Sequence, residues 1–138
     1  HRRIYVSRGD TPRRRIANEQ AILPILSRHG FEVVAPGTLG FRDQAALFSS
    51  AEIVAGAHGA GLTNILFAPH AAKVLEIFPV SKLKNTYFLL SLSLGQNYRA
   101  VIGDAGDRKE WFNVDPSMLE SALDTLLSPS RVITPASA

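Results

Sequence analysis

The chain has 138 residues, of which 46% are apolar and 20% charged, and its net charge is +3; this length suits one domain with its own core. No apolar run approaches the ~20 residues that a membrane-spanning helix needs, so we expect no direct membrane insertion. Cysteine is absent, which excludes disulfides, thiolate metal sites and cysteine nucleophiles.

The positive charge is concentrated at the amino end, where six arginines precede residue 16: Arg2, Arg3, Arg8, Arg13, Arg14 and Arg15. Such a run is typical of a solvated basic surface or of a docking face for another domain. Nucleic-acid binding is a further possibility, but the sequence has no interleaved aromatics, zinc pattern or helix-turn-helix. We therefore predict no nucleic-acid partner.

The predicted elements alternate along the chain. Strands are expected at 3–7, 31–35, 51–57, 73–78 and 98–102, with a very short edge strand at 38–41. Helices are expected at 14–29, 42–50, 62–68, 83–94 and 115–127. Pro24 predicts a kink or restart in the first helix. Asp115 and Pro116 have the residue types of an N-cap and a first helical position.

Apolar strands alternating with helices predict an α/β fold, a Rossmann-like doubly wound parallel sheet of five to six strands in three αβα layers. We expect one domain over residues 1–128 and a frayed tail over 129–138. Ligands of such sheets bind at the carboxyl ends of strands, where the strand order reverses. Placing the strand before His58 beside the first strand, opposite the second, brings Arg8 and His58 to one edge.

The most informative segment is His58-Gly59-Ala60-Gly61-Leu62-Thr63-Asn64, which joins a buried strand to a predicted helix. Free N–H groups and a helix dipole at such a turn bind phosphate, and glycines allow close backbone approach to a ligand. The segment does not match a dinucleotide fingerprint, because Asn64 stands at the third glycine position, and it is not a Walker loop. The alternative for His58 is a purely structural histidine.

Two arginines form a second candidate site. Arg8 ends a strand and Arg15 falls in the first turn of the predicted next helix, so both could face one anion, for which guanidinium groups are suited. A cation in a first helical turn opposes the dipole unless an anion is present. The alternative is a salt bridge with Asp10 or Glu19.

Glu76 is an acid within an apolar strand, where a charge is costly unless it is paired. It could accept hydrogen bonds from sugar or ribose hydroxyls, or form an ion pair with a nearby arginine or lysine. Asn18, Asp43 and Gln44 are weaker candidates, each equally suited to a cap or a surface position. No compact ligand spacing joins the histidines and Glu76, so we predict no metal site.

The chain resembles glycosyltransferase family 61 in five segments taken in order: Ser7-Arg8, Arg15-Ile16-Ala17-Asn18-Glu19, Phe41-Arg42-Asp43-Gln44, the His58 to Asn64 run, and Val74-Leu75-Glu76-Ile77. Members of that family are similar to GT-B enzymes, which have two Rossmann-like domains with the active site between them. The resemblance implies that this chain is the carboxyl-terminal domain, which holds the nucleotide-sugar donor.

The resemblance also implies roles for individual residues. The donor diphosphate would lie on Gly59, Ala60, Gly61 and Leu62, and Arg8 and Arg15 would neutralise the leaving diphosphate. Glu76 would approach the ribose, and Asn18, Gln44 and Asn64 would complete the substrate-binding set. His58 is a tentative catalytic residue on the ground of proximity alone.

An inverting, metal-independent transferase is implied, with a UDP-sugar as donor and no cofactor, acting in bacterial surface polysaccharide synthesis. The implied location is cytoplasmic, or peripheral at the inner membrane face. Because the chain begins with His1, we expect a fragment whose missing partner is an amino-terminal acceptor domain. Alone it should bind donor weakly and catalyse no transfer. The alternatives are a non-catalytic nucleotide- or sugar-phosphate-binding module and a docking domain that uses its arginine-rich start.

Overall fold

The computed structural model describes residues 1–129, which contain one five-stranded sheet. The strands are β1 (Arg2–Val6), β2 (Phe31–Val34), β3 (Ala51–Ala57), β4 (Lys73–Pro79) and β5 (Asn97–Gly103). The α-helices are α1 (Glu19–Arg28), α2 (Phe41–Ser49), α3 (Thr86–Ser93) and α4 (Pro116–Leu127). Short 3-10 helices span Pro36–Thr38, Ala60–Phe67 and Val80–Lys82. Of the tail expected to fray, residues 130–138 lie outside the described residues.

Every strand pair in the sheet is parallel, and the strand order is β2-β1-β3-β4-β5. The chain winds outward from β1 to β2, returns to the other side of β1 with β3, and continues outward to β5. The order therefore reverses between β1 and β3. The predicted Rossmann-like α/β fold is confirmed, and so is the placement of the strand before His58 beside the first strand.

Two apolar clusters pack on opposite faces of the sheet, because successive strand side chains point to opposite sides. On one face Tyr5, Ile53 and Leu75 pack against α1 and α4. On the other face Ile4 and Val54 pack against α2, α3 and the Ala60–Phe67 helix. Helices thus cover both faces of the sheet, in agreement with the predicted three layers.

The first helix begins later than predicted. Residues 14–18 are not helical, because Ile16 forms a parallel bridge with Phe112 and the Ala17 N–H donates to the Phe112 carbonyl at 2.7 Å. That pairing with the loop after β5 takes the backbone groups that a helix would need. α1 then continues through Pro24 to Arg28, so the predicted restart at Pro24 is wrong.

Two short elements also differ from their predictions. Residues 38–41 do not form an edge strand: the backbone N–H and hydroxyl of Thr38 both donate to the Ala35 carbonyl, which closes a 3-10 turn. The segment after Gly59 is a 3-10 helix over Ala60–Phe67 rather than an α-helix over 62–68.

At α4 the predicted cap is confirmed, since the Asp115 carboxylate accepts from the Ser117 N–H at 2.9 Å.

Candidate functional site

A cleft of about 270 Å³ opens at the carboxyl edge of the sheet, where β1 and β3 part. We call it the switch-point cleft. It lies where ligands of open parallel sheets bind. Polar and small residues that line it come from the loop after β1, from the segment after β2, from α2 and from the turn after β3; among them are Ser7, Arg8, Asp10, Gly37, Gln44, Ala60, Gly61 and Asn64.

The Arg8 guanidinium lies on Gly59. A Cβ atom added to Gly59 would be 2.7 Å from Arg8 Cζ, so only a glycine leaves room for the side chain. Arg8 Nε and Nη2 donate to the Arg13 carbonyl at 3.3 and 3.2 Å, which fixes the group at the cleft wall. The pKa of Arg8 is lowered from its ordinary value, first by burial and next by the nearby Arg14. An anion in the cleft would offset both effects.

The turn after β3 differs in detail from a simple phosphate cradle. A Cβ at Gly61 would be 2.8 Å from Val6 Cγ1, so the two glycines make room for protein groups rather than for a ligand. The Leu62 N–H donates to the Gly59 carbonyl at 3.0 Å, and the Leu62 side chain is buried in the core. Leu62 therefore supports the turn from within. The N–H groups of residues 59–61, at the start of the helix, lack intrahelical acceptors. Binding of an anion by these groups stays a prediction.

Gln44 and Asn64 form one amide pair on the cleft wall. Asn64 Nδ2 donates to Gln44 Oε1 and to the Gly61 carbonyl, each at 3.0 Å. Gln44 Nε2 donates to the Leu39 carbonyl at 2.9 Å. These bonds join α2 to the turn and leave both side chains lining the cleft. Direct contact of either residue with a ligand stays a prediction.

Glu76 is a fully buried acid beside His58, with no exposed surface. His58 Nδ1–H donates to its Oε2 at 2.7 Å, and the Tyr98 hydroxyl donates to its Oε1 at 2.6 Å. Burial, together with this hydrogen bond, raises the pKa of Tyr98 well above its ordinary value, so the phenol keeps its proton. The predicted ion pair of Glu76 with an arginine or lysine is wrong, because its partners are His58 and Tyr98. Contact of Glu76 with a ribose stays a prediction that its burial does not support.

The His58 ring is fixed on three sides. Its plane stacks on Phe78 with centroids 5.5 Å apart, and Tyr87 packs at a tilt at 5.2 Å. The Tyr87 hydroxyl also donates to the Gly59 carbonyl at 2.7 Å, which ties the ring stack to the turn. With Nδ1 engaged by Glu76, Nε2 is the ring nitrogen left for a ligand.

A second, smaller cavity of about 70 Å³ adjoins His58. We call it the basic pocket; its lining residues are Arg14, His58, Pro79, Lys82, Lys84 and Phe112. Glu110 accepts from Arg14 Nε at 3.0 Å and pairs with Lys82 Nζ at 3.3 Å. The hydrogen bond from Arg14 is the main reason why the pKa of Glu110 is lowered. Sequence reasoning did not single out these lysines, although both follow the carboxyl end of a strand.

Arg15 does not line the cleft that Arg8 lines. It precedes α1 by four residues, and its Cζ lies 4.7 Å from the centre of the Trp111 ring, in a separate hollow with Glu19 and Gln20. Because the two arginines line separate cavities, the predicted shared anion site gains no support. The helix-dipole argument does not apply, because Arg15 lies outside α1. The predicted salt bridge with Glu19 is also wrong, because Glu19 instead accepts from the hydroxyls of Tyr5 and Ser7.

Asn18 has a structural contact away from the cleft. Its Nδ2 donates to the Val114 carbonyl at 2.7 Å, and its Oδ1 accepts from the Val114 N–H at 2.9 Å. The side chain thus fixes the segment before α4 to the start of α1 and makes no capping bond of its own. A ligand contact for Asn18 gains no support from this position.

Comparison with known proteins agrees with this geometry. The profile of the family described as Glycosyltransferase 61 matches residues 1–75, which contain every residue of the switch-point cleft. The EGF domain-specific O-linked N-acetylglucosamine transferase of Drosophila melanogaster is 35% identical over 98 residues, 69% of this chain and 18% of that protein. The beta-1,2-xylosyltransferase XAX1 of Oryza sativa subsp. japonica is 37% identical over 79 residues, 56% of this chain and 14% of that protein.

The chain spans less than a fifth of the length of these curated relatives. The family match itself covers 75 of its 138 residues, from β1 into β4. It includes Arg8, the turn from His58 to Asn64 and the edge at which they meet. On that match, the chain belongs to glycosyltransferase family 61.

Proposed function

We propose that this chain is the donor-binding domain of a glycosyltransferase and that the switch-point cleft binds a nucleotide-sugar. The observation that carries the proposal is Arg8, held over Gly59 on the wall of a cleft at the reversal point of a parallel sheet. The names of two relatives describe transfer of N-acetylglucosamine and of xylose. The family resemblance implies a UDP-sugar, and this is the donor that we propose.

The cleft offers complementary groups to such a donor. Arg8 would hold the diphosphate, since guanidinium groups match phosphate oxygens in geometry and charge. Asp10 faces the cleft beside Gly37, and its carboxylate would accept from sugar or ribose hydroxyls in place of Glu76. The volume of about 270 Å³ is near the lower end of the roughly 300–1,000 Å³ of ligand pockets. Part of the donor would then face the proposed acceptor domain.

In the inverting reaction that we propose, an acceptor hydroxyl attacks the anomeric carbon as the bond from that carbon to the phosphate oxygen breaks. The nucleoside diphosphate leaves with the bonding electrons, and a base takes the hydroxyl proton. Arg8 would stabilise the negative charge that builds on the leaving oxygens. The base would come from the acceptor domain. Metal independence stays a prediction; among residues 1–129 no three acidic or histidine side chains form a metal-binding group.

The biological setting is a separate question. A role in bacterial surface polysaccharide synthesis stays a prediction, and the relatives named above, from an insect and a plant, lend it no support. The cytoplasmic or peripheral location likewise stays a prediction. Within residues 1–129, none of the helices has the length and apolar character required to cross a membrane.

Replacing Arg8 with alanine tests donor binding. Hydrogen bonds to charged groups contribute about 1.5–3 kcal/mol, so we expect UDP to bind about ten- to a hundredfold more weakly to Arg8→Ala. Titration calorimetry with UDP and UDP-sugars measures the change. Arg13→Ala is the matched control, because it removes the same charge from the same loop while its backbone carbonyl still holds Arg8.

The affinity of Arg13→Ala for UDP should stay within about twofold of that of the unchanged chain, since Arg13 is exposed and lines neither cavity. Equal losses in the two variants would mean that overall charge, rather than Arg8, attracts the nucleotide. No heat of binding at millimolar UDP would contradict the proposal. A non-catalytic binding module would give the same titration, and only sugar transfer by a longer protein separates the two.

A further inference from the structure

We propose that the basic pocket is a second binding site, which takes a single phosphate group through Arg14, Lys82, Lys84 and His58. Four of its six lining residues, among them both lysines, lie beyond the residues that the family profile matches. The pocket is also separate from the switch-point cleft, with which it shares no lining residue. The site stands on its own geometry; only the attribution of its phosphate to a donor nucleotide rests on the proposed function.

The small volume of the basic pocket favours a small ligand. Its volume of about 70 Å³ is far below the volume of about 270 Å³ of the switch-point cleft. A single phosphate group suits a cavity of this size better than a nucleoside or a sugar ring, since pockets for such larger ligands are typically about 300–1,000 Å³. The switch-point cleft is about 270 Å³ and can hold the larger part of a ligand.

The charge of the pocket selects an anion. Three cationic side chains line it, and Glu110 is the acid that pairs with two of them, so two positive charges remain in excess. Glu110 engages Arg14 through Nε and leaves the terminal amines of Arg14 available. Among residues 1–129, Lys84 forms no salt bridge. Arginine and lysine together are the usual ligands of phosphate.

Two residues at the basic pocket have an unfavourable backbone conformation. Arg14 has φ 56° and Glu110 has φ 61°, both in the left-handed region that non-glycine residues rarely adopt. Residues in this conformation persist only where the surroundings hold them, and they are often found at ligand sites. Here the Arg14 N–H donates to the Lys109 carbonyl, and the two side chains form an ion pair. The strained backbone thereby presents Arg14 to the pocket.

His58 adds a ring nitrogen to the lining of the basic pocket. Glu76 accepts Nδ1–H, and Tyr98 holds the other oxygen of Glu76, so the ring keeps a fixed orientation. A phosphate in the pocket would accept a hydrogen bond from Nε2 once that nitrogen carries a proton. Glu76 and Tyr98 are positioning residues in this arrangement, because they act on the ligand only through His58.

The test is a titration of the chain with inorganic phosphate, followed by ¹H–¹⁵N NMR of the backbone and of the histidine rings. We expect shifts at residues 14, 82 and 84 and in the His58 ring on binding. The double variant Lys82→Ala/Lys84→Ala should bind phosphate at least tenfold more weakly. Arg28→Ala/Arg99→Ala is the control, since it removes two exposed cations that do not line the pocket.

Equal phosphate affinity in the two double variants, with folding verified by circular dichroism, would overturn the proposal. Unchanged His58 ring signals at saturating phosphate would overturn the part played by His58. Tyr98→Phe gives a further check, because it should weaken the His58 response while all three cations remain.

Uridine and UDP identify the source of the phosphate. If UDP binding weakens in Lys82→Ala/Lys84→Ala while uridine binding does not, the site takes a phosphate of the nucleotide. If the double variant loses affinity for inorganic phosphate but not for UDP, the site takes a phosphate that is independent of the nucleotide. Phosphate binding at the basic pocket without any nucleotide binding would support this inference and contradict the proposed function, so the two can fail separately.

Discussion

Replacing Glu76 with leucine will lower the free energy of unfolding by about 2–4 kcal/mol. Leucine fills similar space but accepts no hydrogen bond, so the Tyr98 hydroxyl and His58 Nδ1–H lose their acceptor together. A largely buried donor left unsatisfied costs about 1–3 kcal/mol. The same change frees the His58 ring, which should also lower phosphate affinity at the basic pocket.

Urea denaturation of the purified chain measures this effect. Glu76→Gln keeps one carbonyl oxygen and should lose less than half as much stability. Glu52→Gln is the control on the neighbouring strand, where the glutamate forms a partly exposed ion pair with Arg3 at 3.4 Å; such pairs contribute about 0–1 kcal/mol. A leucine variant as stable as the parent would show that Glu76 does not anchor the two donors.

Replacing Gly59 with alanine should weaken UDP binding about ten- to a hundredfold with little loss of stability. The new Cβ would be 2.7 Å from Arg8 Cζ, so the guanidinium must leave the cleft wall. The φ of Gly59 is 164°, which is extended backbone that alanine also adopts. Because the collision involves the end of a flexible side chain, we expect the free energy of unfolding to change by about 1 kcal/mol or less.

A double-mutant cycle makes this prediction specific. If Gly59→Ala acts by displacing Arg8, the double variant Arg8→Ala/Gly59→Ala should bind UDP no more weakly than Arg8→Ala alone. Gly40→Ala is the control, since a Cβ there meets its nearest neighbour at an ordinary 3.9 Å. Additive losses would mean that Gly59 contacts the nucleotide directly, independently of Arg8.

Local patterns in the sequence were sufficient for the fold and for one wall of the site. The alternation of apolar strands and helices predicted the parallel sheet, and a small-residue turn after β3 predicted the edge at which His58 and Arg8 meet. Each of these signals lies within a few consecutive residues. The Asp115 cap could be predicted for the same reason.

The errors concern contacts between residues far apart in the chain. Arg15 was placed in a helix, but pairing of Ile16 with Phe112 delays α1 and leaves Arg15 beside Trp111. For Glu76 the sequence predicts an arginine or lysine as the ion-pair partner, but its partner Tyr98 comes from the next strand, 22 residues away. The basic pocket joins Arg14 to lysines beyond β4, and no local pattern connects them.

A ¹H–¹⁵N NMR titration of the 138-residue chain with UDP tests most directly whether a nucleotide binds between β1 and β3. The proposed function predicts that the largest backbone shifts fall on the switch-point cleft, at Arg8, Gly37, Gly61 and Asn64. The loop of Asp107 and Trp111, which forms a separate surface hollow, should remain unchanged. No shifts at millimolar UDP, or shifts centred on that loop, would contradict a nucleotide site between β1 and β3.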